Sequence, residues 1–250
     1  MTQDNWNKHL ERLREFYSLG LPVETEIGVC HHMLVRDYPK FYPDLAIISK
    51  PALFFIQEVK ADNEKNGNLT ELQLKEFDSY SLIDFVATFD SIQNSYKRVF
   101  DHMFQDNDVI NKIETEEQFE QIRTIVLDLS YTLEEYINPN PIIQRSIEKS
   151  KRLKAAEKGK LTFNDVVSAV SVVSGKTYQE IVDMTVFQLY LDFKRIDTYL
   201  ENISGVILTA GVKEQIKHRD WSDHIDMYEQ DKHALTRDQL GQITGKFTSN

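Results

Sequence analysis

The sequence predicts a mainly α protein, a helical bundle with a small N-terminal β-hairpin element. Three observations carry that expectation. From Leu69 onward the apolar residues recur at spacings of three and four, as on one face of a helix. The C-terminal third holds helix-start signals in close succession: Thr162 with Asp165, Thr177 with Glu180, and Thr185. Only residues 24–35, "ETEIGVCHHMLV", alternate in part, with Ile27, Val29 and Met33 on one parity.

In chain order, Trp6, Leu10, Leu13 and Phe16 predict an amphipathic helix over 3–18 that stops near Gly20 and Pro22. The strand at 24–35 follows, with "YPDLAIIS" at 42–49 as its expected partner. Leu72, Leu74, Phe77 and Tyr80, then the apolar residues from Phe85 to Met103, form helical stripes broken near Asp90 and Asp106. Residues 115–129 predict a helix with a capping box from Thr115 and Gln118. At 138–141, "NPNP" forces extended or turn backbone, because a residue before proline is pushed out of the helical region. That turn is the expected boundary between an N-terminal α(+β) domain (1–137) and a basic connecting helix (138–160). A C-terminal helical domain (161–230) follows, in which Val166, Val167, Val170 and Val173 lead to a stop at Gly175, and Val186 to Leu200 form a long apolar face. Residues 231–250 read as a polar tail.

Composition narrows the function. The formal charge of -11 repels a phosphate backbone, so nucleic acid is a disfavoured partner. The lone cysteine, Cys30, excludes an intrachain disulfide and fits a reducing compartment. No run of about 18 apolar residues is available to span a bilayer, so no membrane association is expected. The chain has no Walker loop, no dinucleotide-type glycine fingerprint and no nucleophile elbow, and no cofactor is expected. Cys30, His31 and His32 are adjacent, but neighbours on a strand face opposite ways, so at most Cys30 and His32 could share a metal. His218, His224 and His233 match no helical metal-pair spacing. No metal site is expected.

One stretch does hint at chemistry. In "FYPDLAIISKPALFFIQEVKAD" (41–62), antiparallel strands turning at Lys50 and Pro51 would set Asp44 across from Glu58, with Lys60 on the same face. Two carboxylates would then hold a divalent ion and the lysine would orient water, as in nucleases of the PD-(D/E)XK superfamily, which the stretch resembles at three residues. The competing reading is a helix with Ser49 as N-cap, Pro51 in the first turn, an apolar face of Leu53, Phe54, Phe55, Ile56 and Val59, and a stop at Gly67. A helix separates Asp44 from Glu58, and it is the preferred expectation.

The basic helix carries Arg145, Lys149, Lys151, Arg152, Lys154, Lys158 and Lys160 against only Glu148 and Glu157. A helix that polar either bridges domains or meets a partner, an acidic protein surface before a phosphate backbone. The run from 138 to 196, whose most specific element is "MTVFQLY" (184–190), together with "WSDHID" (221–226), resembles a segment of virion morphogenesis proteins from large contractile-tailed bacteriophages, of the tail-assembly-chaperone or baseplate-hub assembly kind. The resemblance implies a non-enzymatic role with other phage tail or baseplate proteins as partners, in the host cytoplasm during assembly or in the virion. A second copy of the chain is an admissible partner too. The expected contact residues are Arg145, Lys149, Arg152, Lys154, Met184, Phe187 and Tyr190.

Overall fold

A computed structural model describes residues 3–158, 161–211 and 220–228. Among them are eleven α-helices and one two-stranded antiparallel sheet, the expected mainly α architecture with a small N-terminal hairpin. The chain divides into two units, Met1–Asp197 and Thr198–Asn250. The first runs through the 138–141 turn and includes elements on both sides of it. In the second, the described residues are the end of the last helix, to Gly211, and a turn in which the Asp223 amide donates to the Asp220 carbonyl at 3.1 Å.

Helix α1 (Gln3–Phe16) buries Leu10 but leaves Phe16 59% exposed. The residue that anchors its end is Tyr17, 1% exposed in the following 3-10 turn, so the buried face is rotated from the predicted one. The strand expected over 24–35 folds back on itself instead. β1 (Val23–Thr25) and β2 (Gly28–Cys30) pair in the register Val23↔Cys30 and Thr25↔Gly28 around Glu26 and Ile27. The Thr25 hydroxyl donates to the Gly28 carbonyl at 2.7 Å.

Residues 42–49 are not a strand. They belong to α2 (Tyr38–Ile48), whose buried Tyr38, Phe41, Leu45 and Ile48 follow spacings of three, four and three. The helical period wins because it puts all four large side chains on one buried face, where alternation would split them. α3 (Ala52–Asn66) is the preferred helix, ended by Gly67 at φ 63, a left-handed conformation that glycine adopts without strain. Ser49 is not its N-cap, a position taken by Pro51. Ser49 closes α2, its hydroxyl donating to Ala46 and its amide to Leu45.

α4 (Glu71–Phe77), α5 (Leu82–Thr88), α6 (Asp90–Phe104) and α7 (Glu116–Leu129) complete the N-terminal part. The predicted breaks fall at Phe89, which is extended, and at Gln105, with φ 53. Thr115 caps α7 by accepting from the Gln118 amide at 3.1 Å. The Gln118 side chain accepts from the Glu114 amide rather than Thr115, so only half of the expected box forms. Phe55, Phe77, Tyr80, Phe85 and Phe89 make a ring cluster between α3, α4 and α5, with centroid separations of 5.0 to 6.2 Å.

After α8 (Pro141–Lys158) come α9 (Phe163–Ser174), α10 (Tyr178–Val182) and α11 (Val186–Gly211). Full reciprocal boxes open α9 and α10, and Thr185 and Gln188 exchange the same pair of bonds at 3.0 and 3.1 Å. On α11, Val186 and Leu189 are buried, whereas Leu200 is 48% exposed.

Two features tie these helices together. Residues 31–36 run as a strap across helix ends, turning at 35–37 into α2. The amides of His31, Met33, Val35 and Arg36 donate to Met103, Leu129, Met184 and Val182, and the Met33 carbonyl accepts from Val186 at 2.8 Å. Apart from Met184, in the link between α10 and α11, those partners are terminal groups that a helix cannot satisfy internally. The second feature is Arg123, 2% exposed on α7. Its Nε donates to the Ile48 carbonyl at 3.0 Å and its Nη2 to Lys50 at 3.3 Å, while Glu120 and Glu134 balance its charge at 3.1 and 3.2 Å. Burial opposes that charge, but Tyr96 and the two carboxylates more than offset it and hold the pKa above its ordinary value. A guanidinium at the C-terminal end of α2 also meets the negative end of the helix dipole. An Arg123→Met variant should lose roughly 3 kcal/mol of unfolding free energy, since it removes bonds to the buried Ile48 carbonyl and the half-buried Lys50 carbonyl together with both ion pairs. Urea titration against wild type would show this, and a loss within experimental error would refute the role.

Candidate functional site: the basic helix and its surroundings

α8 begins with an asparagine cap. The Asn140 side chain accepts from the Ile142 amide at 3.0 Å, and the Asn138 side chain accepts from the Asn140 amide at 2.9 Å. Gln144, 5% exposed, locks the turn by accepting from the Asn138 amide at 2.9 Å, and Gln57 of α3 donates to the Asn138 carbonyl at 3.1 Å. The helix therefore leaves the N-terminal part from a fixed start. Arg145, Lys149 and Arg152 are exposed along it, and Ile142 and Leu153 are 73% and 56% exposed. Residues 142, 145, 149 and 152 follow spacings of three and four, so one outward stripe presents three cations with an aliphatic side chain near each end. The side chain of Lys154 lies outside the described residues.

The other expected contact residues are placed differently. Phe187 is 3% exposed, its ring 5.7 Å from Tyr17 and 6.2 Å from Tyr131 in edge-on geometry. Tyr190 is half-buried against Tyr131 at 4.6 Å, and Met184 is half-buried with its carbonyl bound to the strap. The "MTVFQLY" element is thus a junction of the core in this conformation, and α8 carries the exposed part of the predicted contact set.

Asp44, Glu58 and Lys60 are distributed over α2 and α3, and the antiparallel strands that would oppose them do not form. Asp44 is buried with its Oδ2 3.1 Å from Arg98. Glu58 is exposed, and Lys60 pairs with Asp78. Among the described residues no group of three or more His, Cys, Asp or Glu is placed to hold a metal ion. No helix among them is long and apolar enough to cross a membrane.

Cys30 is fully buried, and burial pushes its thiol pKa up. His224 is exposed, and His218 and His233 lie outside the described residues. His32 is buried, with Nε2 donating to the Leu21 carbonyl at 3.0 Å and the ring edge-on to Tyr17 at 5.6 Å. Its Nδ1 is buried with no hydrogen-bond partner among the described residues.

Sequence reasoning did not single out the groove beside α1. Trp6, expected on the apolar face of the first helix, is half-buried and lines a cleft of about 460 Å³ with Ile122, Ile125, Glu24, Glu26 and Glu117. The signal available in the sequence was the acidic content of 24–26 and 114–120, but nothing local says that the two segments meet.

Residues 11–139 match the model of the YomV N-terminal domain, and residues 154–226 match that of the YomV second domain. The chain belongs to the YomV family. It is 30% identical over 240 residues to the SPbeta prophage-derived protein YomV of Bacillus subtilis (strain 168), an alignment that covers 95% of this chain and 99% of that protein. No solved structure matches the chain. Of the two YomV domains, the first contains the strap and Arg123, and the second begins within α8.

The buried imidazole sets a pH dependence. Burial lowers the His32 pKa to about 4, against the smaller opposite effect of the Leu21 carbonyl. The unfolded chain binds that proton near pH 6.5 and the folded chain only near 4, so stability falls as pH drops through this window. The contribution reaches about 3 kcal/mol at its lower end. Asp128 and Glu120, both raised by burial, act in the opposite sense there, so the comparison must be against a variant. His32→Gln should flatten the stability profile between pH 6.5 and 4 in denaturation series, and an unchanged slope would refute the assignment.

Proposed function

We propose that this chain is a phage protein that acts without catalysis, by protein contact, in tail or baseplate assembly, with the outward stripe of α8 as its principal contact face. The single observation that carries the reading is the segregation of charge. A chain of net charge -11 concentrates exposed Arg145, Lys149 and Arg152 on one helix whose start is pinned by Gln57 and Gln144. Those cations are available to an acidic partner surface, and the flanking Ile142 and Leu153 add apolar area that such an interface would remove from water. The prophage origin of the B. subtilis relative supports the phage setting, and the likeness of 138–196 to morphogenesis proteins supports the assembly role. The site of action is the host cytoplasm during assembly or the particle itself.

Charge reversal at Arg145, Lys149 and Arg152 should reduce capture of tail or baseplate proteins by roughly tenfold or more while circular dichroism and thermal midpoint stay near wild type. Co-purification from phage-producing cells, with the bound proteins identified, reads this directly. Full retention of tail or baseplate proteins by the reversed variant would overturn the assignment of the face.

A further inference from the structure

We infer that the stripe on α8 docks into the Trp6 groove of a second copy of this chain. The inference rests on reading α8 as a contact face and names an occupant for it. The groove has an apolar floor, made by the half-buried indole of Trp6 and by Ile122 and Ile125, each only 3% exposed. Its rim is acidic: Glu24 and Glu26 from the hairpin and Glu117 from α7, all exposed. A second cleft of about 490 Å³ shares Trp6 and Glu117 and adds Glu116 and Glu120, extending the carboxylate wall along α7.

The two surfaces complement each other in kind. α8 spans PIIQRSIEKSKRLKAAEK, six basic residues to two acidic ones, and its exposed stripe alternates aliphatic ends with Arg145, Lys149 and Arg152. A guanidinium laid over an indole and flanked by carboxylates gains both cation–π and charge-assisted contacts. Both surfaces belong to one unit of one chain, so a two-fold axis would place each helix in the other copy's groove. The contact would be made twice and the assembly closed at two chains. Opposite charges facing each other also offset the repulsion between two chains of charge -11 at short range, where salt screens the remainder.

The test uses two full-length variants. One reverses the helix (Arg145→Glu, Lys149→Glu, Arg152→Glu) and the other the groove (Glu24→Lys, Glu26→Lys). All five positions are exposed, so neither set removes core packing. In sedimentation velocity at low salt the wild type should dimerise. Each variant alone should associate roughly tenfold or more weakly, because like charges then face each other at both contacts. Mixing the two should restore a one-to-one heterodimer, since each reversed surface meets its complement. In a Trp221→Phe background, Trp6 is the remaining tryptophan, and its emission should shift to the blue on association. A wild type that stays monomeric, a dimer indifferent to either variant, or a mixture that fails to associate would each overturn the docking. If the helix variant still loses tail or baseplate proteins in those cases, the proposed function stands and only the second copy is ruled out. If it loses nothing, both fail.

Discussion

The strap at residues 31–36 is the constraint on which the first unit depends. Every helix ends in carbonyls, and begins in amides, that have no partner within the helix. In this unit the ends of α6, α7 and α10, together with the start of α11, are brought to one place and satisfied by the backbone of one short segment, with Leu34 also bridging to Thr185. The segment is buried through Met33 and Val35, at 0% and 3% exposure, so water could not replace these bonds. Regions far apart in the sequence are therefore coupled through a handful of residues. The same geometry explains why the alternation of 24–35 reads as a strand: its first half is a hairpin, and its second half pairs with helix ends before turning at Val35.

Arg123 plays the parallel role on the other side of α2. It joins the C-terminal end of that helix to α7 and to Glu134 in the segment before α8, and the Glu135 amide adds a bond to the Ser49 carbonyl at 2.8 Å. Lys50 pairs with Glu135 beside it. In the last turn of α7, Arg14 grips Asp128 with two bonds of 2.8 and 3.0 Å. Helix α7 is thus held at its middle and in its last turn by buried charged groups that are sensitive to the loss of a partner. The regularity of this frame is what allows α8 to leave the 138–141 turn in a fixed direction and to present its cations outward.

Acidic overall charge and a basic helix would be contradictory in a surface without segregation. Here the carboxylates of the hairpin and of α7 line one groove, and the cations gather on α8. Between charged surfaces in general, steering acts between opposite patches while net charge keeps like surfaces apart. Phe187 is buried and Tyr190 half-buried against Tyr131, so neither adds to the exposed stripe of α8.

Sequence by itself determined the features that are local. The caps at Thr162, Thr177 and Thr185, the stops at Gly67 and Gly175, and the breaks near Asp90 and Asp106 all follow from short-range rules about orphan amides, left-handed backbone and side-chain period. The helical reading of 52–66, which parts Asp44 from Glu58, belongs with them. Only the tertiary structure decided what depends on meetings between distant segments. Residues 42–48 became helix because Phe41, Leu45 and Ile48 had a buried face to fill, and Ser49 closed α2 instead of opening α3. Tyr17 displaced Phe16 as the anchor of α1, and Trp6 came to line an acidic groove whose two walls are about ninety residues apart. Local rules act through hydrogen bonds a few residues long. Burial is a property of what lies opposite, which no stretch of sequence carries on its own.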